Sequence, residues 1–167
     1  MGFTATGIST TTVTTDKQAP LGFELTVPAG DNGNQVWIYV FNDSGSWVTG
    51  SVIMRDAATT TYDGVLATAS APASRVIGVA QHTIADGSYG FILKRGLGEV
   101  LAGTGTIDVN EGICVDTTDP GTAMEFGSIA EAQDGTSTEH GISGPFGWAT
   151  ENADATNLAT CHIDCRG

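Results

Sequence analysis

The densest group of potential metal ligands lies near the end of the chain, where residues 161–165 read Cys-His-Ile-Asp-Cys. Cys114 and His140 are the residues that could complete a zinc site with this segment. Structural zinc sites usually combine two short Cys/His modules, and the sequence contains one. On a strand, the two cysteines and the isoleucine would share a face, which suits thiols buried as small hydrophobic groups. We therefore predict structural cysteines and no metal, with zinc or a disulfide as alternatives.

The glycines do not form a nucleotide-binding motif. Residues 96–98 and 103–105 both read Gly-x-Gly, but Leu101 and Asp108 stand where a dinucleotide fingerprint requires its third glycine. The acidic segment 108–119 has a similar defect, because its glycine and its twelfth residue do not match a calcium loop. These mismatches predict glycines in strand turns and an irregular acidic loop, with weak calcium binding as the alternative.

No constellation for catalysis stands out. The candidate imidazole bases are His82, His140 and His162, and no Gly-x-Ser-x-Gly elbow presents a serine. Nineteen acidic residues always allow a carboxylate pair, and nothing singles one out. A sugar groove could use four aromatic residues, for which core packing is the preferred interpretation: Trp37, Tyr39, Trp47 and Trp148. We predict that the chain is not an enzyme and has no cofactor.

The charge distribution argues against one class of partner. The formal net charge is −13, and residues 96–165 contain no Lys or Arg but twelve carboxylates. Phosphate backbones would be repelled, so nucleic-acid binding is not expected. No apolar run approaches the length of a membrane helix, and the start of the chain has no signal-peptide pattern. We expect synthesis in a reducing cytoplasm and no membrane association. The acidic surface is either simply solvated or docks on a basic partner.

Residues 1–20 predict an extended arm. This segment contains seven threonines, whose branched side chains favour extended backbone. An extended arm can add a strand to a partner's sheet edge. The candidate contact residues are its apolar side chains and two of its threonines, namely Phe3, Ile8, Thr10, Thr12 and Val13.

The remainder, residues 21–167, predicts a single β-rich domain. Short alternating or apolar runs are separated by turn pairs such as Asn32-Gly33 and Asp86-Gly87, and no long helix is evident. Residues 75–101 read as three strands, with a turn at residues 96–98. The expected fold is all-β, a small β-barrel or β-sandwich, with core strands in residues 21–105 and an acidic, loop-rich extension in residues 106–167. We find no internal repeat in the sequence.

The order of these segments resembles small tailed-phage capsid decoration (cement) proteins. The similarity covers residues 20–105 well and the rest loosely, and its motifs are mostly strand and turn glycines. It is carried by a small-residue stretch, three glycine-containing segments and two segments near the end of the sequence: residues 65–74, 75–80, 84–90, 98–100, 147–151 and 163–167.

The resemblance implies a β-rich module, often trimeric, that clamps neighbouring major capsid subunits and has no catalytic residues. The expected partner is therefore the major capsid protein, and the expected location is the outer capsid surface of a virion. A homotrimer is favoured, with a dimer as the alternative. The alternative function is another virion structural module, namely a head fibre or a tail or fibre component, with or without glycan binding.

Overall fold

The fold is all-β, as the sequence predicts. The computed structural model describes residue 7 and residues 9–56, 61–68, 72–126 and 144–166. These described residues contain ten strands and two single-turn 3₁₀ helices, at Gly30–Asn32 and Ala73–Arg75. Among the described residues, no helix has the length and apolar character needed to cross a bilayer. The strands are β1 (Glu24–Pro28), β2 (Asn34–Asn42), β3 (Val52–Arg55), β4 (Asp63–Leu66), β5 (Val76–Val79), β6 (Tyr89–Leu101), β7 (Gly112–Val115), β8 (Ala123–Glu125), β9 (Gly147–Ala149) and β10 (Leu158–Asp164).

Five of these strands form a closed barrel. The order is β2-β4-β3-β5-β6, and β6 pairs back with β2. The β2–β4 pair is parallel and the other four pairs are antiparallel. Ile38, Trp47, Ile53 and Ile92 belong to the buried cluster of this first barrel, and Trp47 is fully buried. The apolar run of β2 is buried from Trp37 to Val40, as expected for a strand covered on both faces.

The long strand β6 continues beyond the first barrel. Its first half pairs with β2, and residues Arg95 to Leu101 pair with β10. The turn predicted at residues 96–98 is therefore wrong. A bulge at Lys94 and the positive φ of Gly96 (117°) bend β6 without ending it. A side chain at Gly98 would collide with Leu93, so these glycines serve close packing along a bent strand.

The four strands that follow β6 close a second ring with it. The order is β6-β10-β9-β7-β8, and a parallel bridge between Ala102 and Ala123 joins the end of β6 to the start of β8. The backbone N–H of Gly103 donates to the carbonyl of Ala123 at 2.9 Å in this closure. The described part of residues 106–167 therefore contributes four strands, β7 to β10, to a barrel that uses β6 as its fifth.

The two rings have the same topology, so the chain contains an internal repeat. In the first ring, β2 pairs with β4 in parallel and with β6 antiparallel, while β3 pairs with both β4 and β5. In the second ring β6, β7, β8, β9 and β10 take the places of β2, β3, β4, β5 and β6. Strand β6 is thus the last strand of one barrel and the first of the next.

Isolated bridges mark equivalent positions in the two rings. Trp47 and Ile84 exchange two backbone hydrogen bonds of 3.0 and 3.1 Å, and Ile107 and Ala153 exchange two of 2.9 and 2.8 Å. Residues 39–56 correspond to residues 99–116 without a gap, at an offset of 60. Residues 78–93 correspond to residues 147–162 at an offset of 69, so the pair Val79–Leu93 becomes Trp148–His162.

Backbone geometry supports the same correspondence. Gly50 and Gly87 have positive φ in the first ring (86° and 69°), and their equivalents are Asn110 (70°) and Thr156 (66°). Within the described ranges, these two are the only non-glycine residues with positive φ. Left-handed backbone is uncommon outside glycine, so its recurrence at matched positions indicates a shared local structure.

The expectation of no internal repeat is therefore wrong, and the reason is sequence divergence. Of the eighteen positions in residues 39–56, four keep their identity at the offset of 60: Val40/Val100, Gly45/Gly105, Ile53/Ile113 and Asp56/Asp116. Two barrels tolerate different apolar side chains at the same interior position as long as each interior is filled. The repeat is consequently visible in strand pairing but not in residue identity.

The N-terminal segment lies against the first barrel. β1 pairs with the first half of β2, and the ring of Phe23 meets that of Phe91 edge-on at 6.4 Å. Thr14 and Tyr89 exchange two backbone hydrogen bonds, and the N–H of Gln18 donates to the Tyr39 hydroxyl at 3.0 Å. The described part of the predicted arm is therefore held by backbone and side-chain contacts.

Candidate functional site

The cysteines lie in the core. All three are reduced and buried, and Cys161, Ile163 and Cys165 occupy alternate buried positions at the end of the chain. Burial, followed by the nearby Glu151 carboxylate, raises the pKa of the Cys161 thiol to about 12. Burial also raises the pKa of Cys165. Thiols held in the neutral form are poor nucleophiles and poor metal ligands, which supports the structural interpretation.

The acidic segment 108–119 uses its central carboxylate for local structure. Asp116 is buried, and its Oδ1 accepts hydrogen bonds from the backbone N–H groups of Thr118 (2.6 Å) and Asp119 (3.2 Å). Its Oδ2 accepts one from the N–H of Thr104 at 3.3 Å. Among the residues that the structure describes, no group of three or more His, Cys, Asp or Glu side chains is arranged to hold a metal ion.

The candidate imidazole bases are not brought together. His82 is half-buried in the first barrel, and burial lowers its pKa. Neither of its ring nitrogens has a hydrogen-bond partner among the described residues. His162 lies on β10 of the second barrel, and His140 lies outside the described residues.

The predicted contact residues of the arm fall into two groups. Thr10, Thr12 and Val13 are half-buried, and Val13 packs against the interior cluster of the first barrel. Phe3 and Ile8 lie outside the described residues. The capsid-contact role of all five stays a prediction.

The four aromatic residues considered for a sugar groove do not form one. Trp47 and Tyr39 are almost fully buried, and Trp37 is 7% exposed. Trp148, in contrast, is 46% exposed on the outer face of β9. The expected core packing is thus confirmed for three residues and is wrong for Trp148.

Trp148 stands on the outer face of the second barrel beside His162. The indole and the imidazole are parallel, with an interplanar angle of 3° and ring centroids 4.1 Å apart. His162 faces Trp148 across the β9–β10 pair, and Gly112 faces it across the β7–β9 pair. One neighbour therefore supports the indole by stacking, and the other presents no side chain. Phe126, which follows β8, is also exposed, and the N–H of this residue donates to the carbonyl of Gly112.

Two hydrogen-bonded polar pairs flank this stack along β10. On one side, the hydroxyl and the N–H of Thr160 both donate to Oε1 of Glu151, at 2.5 and 2.9 Å. These hydrogen bonds lower the pKa of the exposed Glu151 carboxyl, so it is ionised at neutral pH. On the other side, Nε of Arg95 donates to Asp164 at 3.0 Å. We call Trp148, His162 and these two pairs the Trp148 platform.

Sequence reasoning missed the platform because it depends on pairing. Thr160, His162 and Asp164 alternate with buried residues of β10, which is a signal that the sequence contains. The neighbours of these side chains come from β6 and β9, and no local pattern predicts those partners. A shallow pocket of about 360 Å³ lies beyond Asp164, lined by Ala73, Ser74, Gly144, Pro145, Phe146, Asp164 and Arg166.

Comparison with known proteins finds a likeness in structure. No protein-family model and no curated protein matches the sequence. Among solved structures, the chain is similar to the N base of the head fibre protein gp8.5 of bacteriophage phi29. The two share 17% sequence identity with a TM-score of 0.51, over 78% of this chain and 94% of the other. At this identity the likeness establishes a common fold.

Proposed function

We propose that this chain is a structural protein of a tailed-phage virion, bound to the outside of the capsid. The observation that carries the proposal is the fold shared with the phi29 head-fibre base, which spans nearly the whole of that domain. It agrees with the resemblance of residues 75–101 and their surroundings to capsid decoration proteins. The structural likeness supports a virion structural role, and attachment to the outside of the capsid is the finer part of the proposal.

Within this role, the leading function is that of a cement protein that stabilises contacts between major capsid subunits. Such a protein acts through non-covalent contacts and catalyses no reaction. The twelve carboxylates of residues 96–165 provide charge complementarity to basic patches on a shell. The neutral N-terminal arm adds backbone hydrogen bonds to an exposed strand edge. A homotrimer is the proposed assembly, with a dimer as the alternative.

The second candidate is the base of a head fibre. The structural likeness favours it, because the similar phi29 protein is itself the base of a head fibre. The two candidates differ in copy number and in effect on the shell. Quantitative mass spectrometry of purified particles should find hundreds of copies for a cement protein. Tens of copies, with no change in capsid melting temperature on removal, would favour the fibre base.

The test of capsid attachment is a mixing experiment. Purified protein is added to particles that lack it, and bound protein is measured after sedimentation at several salt concentrations. We expect stoichiometric binding that weakens with salt, because acidic-to-basic contacts are screened. An absence of binding at every salt concentration would refute the proposal. Analytical ultracentrifugation of the free protein gives the oligomeric state.

The arm is tested by a deletion that leaves the barrel contacts intact. Removal of residues 1–8 keeps the bridge between Thr14 and Tyr89 and the contact of Gln18 with Tyr39. We expect weaker capsid binding with an unchanged melting temperature of the free protein. Unchanged capsid binding would show that Phe3 and Ile8 are not capsid-contact residues. The variant Thr10→Asp tests the described part of the arm separately, because Thr10 is not part of the buried core clusters.

A further inference from the structure

The internal repeat allows each outer-face position of the second barrel to be compared with its equivalent in the first. Trp148 and His162 take the places of Val79 and Leu93, which are fully buried. In the first barrel this aliphatic pair belongs to the large core cluster, which continues into the interior of the second barrel. In the second barrel the same row is open, and the largest side chain in it is 46% exposed.

The neighbouring row also becomes more polar in the second barrel. Tyr39 and Phe91, whose rings lie 5.1 Å apart, are covered in the first barrel by Phe23. Their equivalents at offsets of 60 and 69 are Glu99 and Thr160, which pair across β6 and β10. The second barrel therefore replaces covered aromatic residues with a carboxylate and a hydroxyl.

Together these replacements leave an indole and hydrogen-bonding groups on a face that is covered by apolar side chains in the first barrel. An indole with hydrogen-bonding groups beside it provides an apolar, electron-rich surface and directed polar contacts. Sugar rings require both, because they have C–H groups on their faces and hydroxyls around their edge.

The dimensions of the platform suit one ring. Thr160 and Asp164 each lie two residues from His162 on β10, about 7 Å away in opposite directions along the strand. The Glu151–Thr160 pair therefore lies on one side of the stack along β10, and the Arg95–Asp164 pair lies on the other. The stack on His162 fixes the indole before the ligand arrives, which reduces the entropic cost of binding.

We propose that the Trp148 platform binds a pyranose ring of a glycan through stacking on the indole and hydrogen bonds to the flanking polar pairs. This site is separate from the capsid-contact role, so either can fail without the other. On a virion-bound protein it would direct the particle to a saccharide surface.

The test uses the full chain and a panel of defined oligosaccharides made of gluco-, galacto-, manno-, N-acetylglucosamino- and rhamno-pyranose units. Binding is measured by titration calorimetry and by the change in tryptophan fluorescence. Since Trp47 and Trp37 are buried, the fluorescence change should come from Trp148. We expect at least one member of the panel to bind with a dissociation constant of about 1 mM or below. Trp148→Ala should weaken this affinity by at least tenfold, and Glu151→Gln should weaken it by a smaller factor.

The matched control is Val48→Ala, since Val48 is also 46% exposed but lies in the first barrel. It should bind sugars as the parent does, and all variants should keep the parent melting temperature. Absence of binding to every panel member would overturn the inference, as would equal binding by Trp148→Ala. If Trp148→Ala instead loses capsid binding in the mixing experiment while no sugar binds, the face is a protein-docking surface and the inference is wrong. If no form of the protein binds capsids but sugar binding depends on Trp148, the proposed function fails and this inference stands.

Discussion

The left-handed backbone at Thr156 provides a quantitative test of the internal repeat. Thr156 is exposed and has a φ of 66°, whereas its equivalent in the first barrel is Gly87 with a φ of 69°. A left-handed conformation costs a residue other than glycine roughly 1–2 kcal/mol. The variant Thr156→Gly relieves that cost but gives the unfolded chain more freedom, which offsets about 0.4–1 kcal/mol. We therefore expect a net stabilisation of about 1 kcal/mol.

The reverse change should have the opposite sign. A Cβ placed on Gly87 has no atom within 4 Å, so the main cost of Gly87→Thr is the backbone conformation. The same two terms then predict a destabilisation of about 1 kcal/mol. For a chain of this length, 1 kcal/mol corresponds to a change in melting temperature of roughly 2–4 °C.

The assay is urea unfolding followed by circular dichroism, with melting temperatures from differential scanning calorimetry as a second measurement. Thr156→Ala is the control, because it removes the branched side chain but keeps a Cβ in left-handed backbone. It should recover only a small part of the stabilisation. If Thr156→Gly is neutral or destabilising while Gly87→Thr is tolerated, the two turns are not structurally equivalent and the reasoning from the repeat fails.

Three further predictions follow from the core and from buried titratable groups. Ile107→Ala should lower the free energy of unfolding in urea by roughly 2–5 kcal/mol, because the Ile107 side chain is fully buried in the second barrel. The control Val109→Ala, at an exposed position, should lower it by less than about 0.5 kcal/mol. Similar values for both variants would contradict the second core. Ellman's reagent should label no thiol in the native protein at pH 8, because all three cysteines are buried and burial keeps the Cys161 thiol neutral. It should label all three cysteines in guanidinium. Rapid labelling of the native protein would contradict this prediction. Burial lowers the pKa of His82 in the folded state, so the unfolded state binds more protons as the pH falls below 6.5. The free energy of unfolding should therefore decrease as the pH falls through this value, and it should decrease less steeply in the variant His82→Gln.

Much of the first barrel could be predicted from the sequence because its signals are local. The apolar run of β2 and the Gly87 turn are patterns within a few residues, and the structure confirms both. The turn predicted at residues 96–98 is wrong because it also rests on a local pattern. Two glycines near a basic pair look like a turn, but their role is set by Asn34 and Gln35, which pack against Gly96 from another strand. A local pattern cannot distinguish a glycine that ends a strand from one that lets a strand bend.

The Trp148 platform lies beyond local reasoning for a deeper reason. Val79 and Trp148 occupy the same position of the same barrel topology, each pairing with the equivalent residue of the following strand. Each also lies in a short run of small and apolar residues, so periodicity predicts burial for both. What differs is the layer above them. The first barrel's outer face joins the shared core, and the second barrel's outer face has no equivalent layer among the described residues. An internal repeat allows each residue of one barrel to be compared with its equivalent in the other. An aromatic residue that is exposed where its equivalent is buried is therefore evidence for a binding surface. The Trp148→Ala variant tests this directly.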